Sequence, residues 1–508
     1  MVVKNRTKLI SSILLVCMVI GLLGVYFSSL EAYASQALVE EFSLVIDGTE
    51  CEQTVSEIDI SYPNNRYVNM REIAEALADT DAHFSYEITK EGIELDTNGV
   101  FETDDNSDDS KKKDSENVDE SSEESNIVRV NASAKYNDFL VDGEKVTYST
   151  AIVDHNDSGE SDCFIAPYDL AMILGIDIQI VDDSKVVIDT KSDFQVDPEK
   201  LEADGYFLGV NAIAVGNAST GELYYSYQGT TPYAIASTTK LMTYLVLREW
   251  MSKNNGSMND LVTISQNVEI LSGSDDGVIP MKEGTKVSVN ELIYGMLVVS
   301  SNESALALAE YAYGTEEAFV AKMNERALDL GLTTAHFNNS NGLPKYTDST
   351  VSAKLQNTLS AEDMFKLSSY ILSVYPEIKD VTSTKECTLE VLKQEIKNTN
   401  PVLRNMKECT GLKTGTTNKA GACLVVSLQV ETGAGLEDLV VVELGAENSV
   451  ERARVGQLLS RYALDVRNGK SSTLFQGGEE VSDEIPTSAE GFINLLTRAA
   501  RNKSLSAN

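Results

Sequence analysis

CTGLKTGTTNKAGACLVVSLQV, residues 409–430, reads as a strand, a turn and a second strand, with Asn418 to Gly421 at the turn. LEDLVVVELG, residues 436–445, adds a third strand, and Asn448-Ser449-Val450-Glu451 forms a capping box for a closing helix through Ala463. Far upstream, NAIAVGNAS and GELYYSYQG (211–219 and 221–229) read as two more strands about a turn with Gly221. Between these ends lies a helical block extending to Ile371. It opens with AIASTTKLMTYLVL, residues 234–247, whose Leu241, Tyr244 and Leu245, with Met251 beyond, make an apolar stripe. Strands, helices, strands again and a final helix describe an α/β domain whose sheet is assembled from both ends of the segment.

The hairpin carries Lys413-Thr414-Gly415. Two further motifs precede it: Ser237-Thr238-Thr239-Lys240, and Ser300-Ser301-Asn302 within GMLVVSSNESALALAE. The serine–lysine spacing means little alone, because Ser110 and Lys113 share it inside an acidic run. The three motifs in order, each on a suitable element, form a recognised acyl-transfer set.

A serine hydroxyl is a poor nucleophile until a base takes its proton. A histidine triad is not available: of three histidines only His336 lies in this region, and none neighbours Ser237. On a helix Ser237 and Lys240 share a face, so the amine reaches the hydroxyl. A free lysine with pKa about 10.4 is protonated at neutral pH; lowering it by about 3 units takes roughly 4 kcal/mol, which burial and a second cation supply. Lys413 is the candidate second cation. Ser300 offers a proton-relay hydroxyl and Asn302 an amide for the substrate backbone. The backbone N–H groups of Ser237 and Thr416 are candidate oxyanion donors, and the Thr414 and Thr416 hydroxyls are candidates for a substrate carboxylate.

Residues from about 207 to 465 resemble the low-molecular-mass penicillin-binding proteins that are serine-type D-alanyl-D-alanine carboxypeptidases. NASTGELYYSYQGTTPYAIASTTKLMT, VIPMKEGTKVSVNELIYGMLVVSSNESALALAE, GLTTAHFNNSNGLP and GLKTGTTNKAGACLVVS carry that likeness beyond the motifs. The resemblance implies a β-lactamase/penicillin-binding-protein-like transpeptidase fold, a sheet plus a helical subdomain. It also implies acylation of Ser237 by a peptide ending in D-Ala-D-Ala, release of D-alanine, hydrolysis of the acyl-enzyme, and β-lactams as covalent inhibitors. It assigns Ser237, Lys240, Ser300 and Asn302 to catalysis and Lys413, Thr414, Gly415 and Thr416 to substrate binding, with no metal and no cofactor. No arginine is assigned to the substrate carboxylate. Many relatives carry a β-rich domain and an anchor helix after the peptidase domain; the residues after Ala463 are too few for that domain, and AEGFINLLTRAARNKS is only weakly amphipathic.

The N-terminus has a basic patch, Lys4, Arg6 and Lys8, an apolar run from Leu9 to Leu30, and Ala32-Tyr33-Ala34 as a cleavage site. A signal peptide over 1–34 is the expectation, with an uncleaved membrane anchor as the alternative, so the chain is expected to be exported to the outer face of the cytoplasmic membrane or the cell wall. From 40 to 190 two segments echo each other: FSLVIDGTECEQ opens one and NDFLVDGEKVTYS the other, each followed by a helix and a closing strand. This duplicated small α+β module is similar to the repeats of the copper amine oxidase N-terminal-like domain of exported Gram-positive proteins. That likeness implies a binding or spacer role and not copper, since His83 and His155 are the only histidines here.

Residues 101–126, dense in Asp, Glu and Ser, are expected to be a solvated disordered insertion. Residues 191–206 are expected to be a linker, 207–466 the catalytic domain and 467–508 a tail. The net charge of −38 excludes nucleic acid as a main partner. Five cysteines follow the signal, and Cys51 with Cys163 and Cys387 with Cys409 are the pairings that stay within a domain; buried free thiols are the alternative. A β-lactamase is the nearest enzyme alternative, but no E-x-x-L-N-like element lies between Asn302 and Lys413. A D,D-endopeptidase and a non-catalytic wall-binding or sensing protein complete the alternatives.

Overall fold

The computed structural model describes residues 36–59, 66–101, 128–131, 135–154, 161–182, 184–203, 205–344, 355–433 and 435–471. The expected signal segment, all but Phe101 of the acidic insertion, and the tail from residue 472 onward lie outside them. The chain divides into two compact units, one ending at Phe194 and the other starting at Gln195.

In the first unit the strand order is palindromic. It runs Ile176–Val181, Lys185–Asp193, Gln36–Ile46, Thr49–Asp59, Arg66–Asn69, Ser161–Ile165, Glu144–Asp154, Lys135–Val141, Ile93–Asp96, Ser85–Ile88, with Val128–Asn131 added beside Gln36–Ile46. The midpoint is the pairing of Val68 with Ile165. Each half lends its opening hairpin to the other: Ser43–Ile46 run parallel to Lys185–Ile188, and Ile93–Leu95 parallel to Phe139–Val141. The joints use the same chemistry twice. Asp47 and Asp142 adopt φ of 50° and 49° ahead of a glycine, a conformation that a short hydrogen-bonding side chain tolerates. The Asp47 carboxylate accepts from Thr190 N at 2.9 Å, and that of Asp142 from Thr97 N at 2.9 Å. Neither half completes its sheet alone. Helices Met70–Leu77 and Pro167–Leu174 occupy equivalent places.

The second unit contains a five-stranded antiparallel sheet in the order Glu222–Tyr227, Ala212–Asn217, Gly435–Ala446, Gly421–Thr432, Cys409–Thr417. The first and last segments of the unit meet where Ala212–Asn217 pairs with Gly435–Ala446. LVVVEL (439–444) is buried on both faces, which explains its nearly continuous apolar run. Alternate side chains point to opposite faces. Val440, Val442 and Leu444 join the core that holds Phe365 of helix Ala361–Val374. Glu443, on the other face, lies against helix Ser449–Arg467, where a Cβ on Gly456 would stand 3.4 Å from its Oε2. A helical block containing Lys240–Asn254, Val289–Leu297, Asn302–Tyr313 and Glu316–Asp329 interrupts the sheet sequence, so the domain is a sheet plus a helical subdomain.

The stretch 191–206, within which the two units divide, holds the end of strand Lys185–Asp193 and a helix Pro198–Ala203, whose Glu202 accepts from the Tyr225 hydroxyl at 2.8 Å. One expectation, the end of the closing helix, requires correction. The closing helix continues past Ala463 to Arg467, because Asp465 pairs with Arg461 and Arg467 with Glu437. Of the two readings of the cysteines, the structure has the thiols: Cys51, Cys163, Cys387, Cys409 and Cys423 are all free, three of them buried. Among the described residues no helix is long and apolar enough to cross a membrane.

Candidate active site

Ser237 lies on a 3-10 turn that leads into the α-helix and not on the α-helix itself. Ala236–Thr239 form a 3-10 turn, and the α-helix proper begins at Lys240. Two non-glycine residues of the constellation's segments lie in the left-handed region: Ala236, φ 45°, just before Ser237, and Ser300, φ 70°, the first residue of the asparagine motif. Each conformation costs about 1–2 kcal/mol, and both lie beside residues on which the site depends.

Lys240 is the centre of the arrangement. Its Nζ is 2.8 Å from Ser237 Oγ, 2.8 Å from Asn302 Oδ1 and 2.7 Å from the Asn341 carbonyl oxygen. The side chain is 0 % exposed. Burial, reinforced by the nearby charge of Lys413, holds the amine well below the usual lysine range, with Glu303 acting in the opposite direction. Asn302 is set by its own helix: Ser301 caps Asn302–Tyr313 by accepting from Ser304 N at 3.0 Å. The Asn302 amide also donates to the Asp276 carbonyl at 2.8 Å, which turns Oδ1 toward Lys240.

The strand Cys409–Thr417 forms the opposite wall. Lys413 is buried and donates to the Thr414 carbonyl at 2.8 Å. Burial, then the charge of Arg452, pulls its pKa down to about 7. Gly415 allows the strand to pass against the backbone of Ser237: a Cβ there would stand 2.7 Å from Ser237 N and 2.9 Å from Thr238 N. Gly342, at φ +90°, plays the same part from behind, where a Cβ would stand 2.0 Å from the Ala236 carbonyl oxygen. The Thr414 and Thr399 hydroxyls are hydrogen-bonded to each other. Thr416 Oγ1 accepts from Arg452 Nη1 at 3.1 Å.

The fold therefore brings Ser237 and Asn302 each into contact with Lys240 and sets Lys413, Thr414, Gly415 and Thr416 on the adjoining strand. Ser300, two residues before Asn302, is half-buried, and no hydrogen bond joins its hydroxyl to the other three. The motif reading missed the Asn341 carbonyl, Glu303 and Arg452. Asn341 lies in a family-like run but acts through its backbone, which no residue-type pattern reports. Glu303 follows the asparagine motif directly. Arg452 was legible only as part of the closing helix's first turn, and its approach to Thr416 depends on how that helix packs.

His336, the one histidine of this unit, is engaged through its backbone with Thr358 and makes no hydrogen bond to Ser237. A serine set against a buried lysine, walled by a Lys-Thr-Gly strand, defines the class of active-site-serine proteins with a lysine partner. Comparison with known proteins agrees. The family model for D-alanyl-D-alanine carboxypeptidases of peptidase family S11 matches residues 207–448. D-alanyl-D-alanine carboxypeptidase DacF of Bacillus subtilis is 31% identical over 287 residues, spanning 55% of this chain and 68% of that protein. Among solved structures, the peptidoglycan synthesis regulatory factor PBP3 of Streptococcus pneumoniae is similar at 28% identity, with 51% of this chain and 74% of that one covered and a TM-score of 0.46. Penicillin-binding protein D2 of Listeria monocytogenes, in its ampicillin-bound form, is similar at 27% identity, with 50% and 97% covered and a TM-score of 0.43. The chain belongs to the serine-type D-alanyl-D-alanine carboxypeptidase family.

Proposed function

We propose that this protein removes the terminal D-alanine from peptidoglycan pentapeptide through an acyl-enzyme on Ser237, with Lys240 as the base. The observation that carries the reading is the set of contacts around the buried Lys240 amine. A neutral amine has two N–H groups and one lone pair. Asn302 Oδ1 and the Asn341 carbonyl can only accept, so they take the two N–H groups. The lone pair is left for the Ser237 hydroxyl.

As Ser237 Oγ bonds to the carbonyl carbon of the penultimate D-alanine, its proton passes to Lys240 Nζ. The C–N bond to the terminal D-alanine then breaks, and the proton is delivered to the leaving amine, relayed by the Ser300 hydroxyl. A water next attacks the ester, gives a proton to Lys240, and the same proton returns to Ser237 Oγ as the acid is released. General-base assistance of this kind is worth about 10²–10⁴ in rate. The N–H groups of Ser237 and Thr416 receive the negative oxygen of the intermediate. Thr414 and Thr416, with the cations Lys413 and Arg452, bind the terminal carboxylate, and Gly415 keeps that wall close to Ser237. No metal or cofactor enters this mechanism.

β-Lactams, which mimic the scissile amide, acylate the same serine. The protein acts outside the cytoplasmic membrane on the wall, and the module over 40–190 binds wall material or spaces the catalytic domain (207–466) from the surface. Fluorescent penicillin tests the site: a covalent adduct on the wild type and none on Ser237→Ala is expected, while an undiminished adduct on Ser237→Ala sinks the assignment. Product analysis with pentapeptide and cross-linked dimer then separates carboxypeptidase from endopeptidase, and turnover of the penicillin itself would identify a β-lactamase.

A further inference from the structure

Glu303 is a fully buried carboxylate at the start of helix Asn302–Tyr313, next in sequence to the asparagine that contacts Lys240. Its Oε1 accepts from Val278 N at 3.0 Å and from Ile279 N, while Oε2 has no hydrogen-bond partner. Isolated burial of a charge is expensive, so a carboxylate kept here must interact with something. Two features of its surroundings supply that interaction.

The first is mechanical. Asn302 holds the carbonyl of Asp276, and Glu303 holds the N–H groups of Val278 and Ile279. Consecutive side chains therefore grip one short segment, residues 276–279. The grip on Asp276 is what turns the Asn302 amide so that its oxygen faces Lys240 at 2.8 Å. The second is electrostatic. The groups touching the Lys240 amine are neutral: the Ser237 hydroxyl, the Asn302 amide oxygen and the Asn341 carbonyl. The charged groups acting on it are Lys413, from the facing strand, and Glu303. When Lys240 takes the serine's proton it becomes an ammonium ion in a buried site beside another lysine. A carboxylate at this place offsets that charge.

We infer that Glu303 is a positioning residue for the general base: it clamps the 276–279 segment that orients Asn302 and sets a buried negative charge next in the chain to the asparagine that contacts Lys240. The inference rests on the reading of Lys240 as the base of Ser237. Removing the charge leaves a weaker base that is free at lower pH, so the acid limb and the plateau of acylation both move.

The test is the acylation rate by labelled penicillin against pH, for wild type, Glu303→Gln and Glu303→Asp, with melting temperature recorded alongside. Glu303→Gln keeps the size and an accepting oxygen. Its acid limb is expected about 1 pH unit below that of wild type, with a plateau lowered about tenfold. Glu303→Asp keeps the charge on a shorter stem; its limb stays with wild type while its plateau falls. A Glu303→Gln limb that coincides with wild type, whatever its plateau, overturns the inference, since a purely structural role moves only rate and stability. A limb displaced equally in Glu303→Asp overturns it too. Absence of any adduct on wild type overturns the reading of the site, and the inference with it, and is distinguished by that control alone.

Discussion

Replacing Asn302 by aspartate changes one amide nitrogen to oxygen and places a carboxylate where the Lys240 amine now meets a neutral acceptor. At the observed 2.8 Å and an effective dielectric of about 20, the new pair is worth about 6 kcal/mol, or about 4 pKa units as an upper bound. The desolvation of the new carboxylate opposes this, and opposite charges at such range commonly shift a partner by about 1–3 units. Lys240 would therefore rise toward the ordinary lysine range and be protonated at neutral pH. The substitution also sets an acceptor against the Asp276 carbonyl, which now receives the amide N–H at 2.8 Å. Acylation by labelled penicillin at pH 7 should fall by about 10²–10⁴ and recover in part as pH rises, its acid limb displaced upward by about 2 units. Rates measured from pH 5 to 10 decide the matter. An Asn302→Asp profile with the wild-type limb would show that the amine in contact with residue 302 is not the group whose deprotonation permits reaction.

Three further outcomes are expected. Gly415→Ala places a methyl 2.7 Å from Ser237 N; the strand or the nucleophile turn must shift, so acylation should drop by about 10²-fold with only a small fall in melting temperature. Arg452→Ala removes a cation from the Thr416 hydroxyl; kcat/KM for a D-Ala-D-Ala peptide should fall about 10–100-fold, and the pKa of Lys413, now depressed partly by Arg452, should rise from about 7, moving the basic limb of the profile to higher pH. Lys413→Met tests linkage. The unfolded chain protonates this lysine below about 10.4, whereas the folded protein does so only below about 7. Between those values the unfolded state binds more protons, so the group makes stability rise with pH; denaturant titrations of Lys413→Met should show that rise flattened.

Much of the second unit was legible because its signals are local. The hairpin about Asn418–Gly421, the apolar strand Leu439–Leu444 and the Asn448 cap announce themselves within a few residues. The places the sequence leaves open are those where distant parts of the chain intervene. Residues 191–206 look like a polar connector, yet Pro198–Ala203 is folded and Glu202 is engaged by Tyr225. The cysteines Cys51 and Cys163 share a unit, as do Cys387 and Cys409, which left pairing and free thiols both open; each is a thiol. In the first unit the echo between halves was visible, whereas the exchange of hairpins between them was not: strand patterns report which face is apolar, not which strand lies alongside.

By itself the sequence determined the types and order of the chemical groups: a serine and lysine three apart, an asparagine after two serines, a Lys-Thr-Gly strand, and too few histidines for another base. Only the tertiary structure decided what those groups can do. The proposed role of Lys240 as a base rests on burial, Lys413 and the acceptors Asn302 and Asn341, which converge on one amine from three separate segments. Arg452 and Glu303 matter for the same reason. Proton affinity depends on distance and on the exclusion of water, and both are properties of the folded chain, not of neighbours along it.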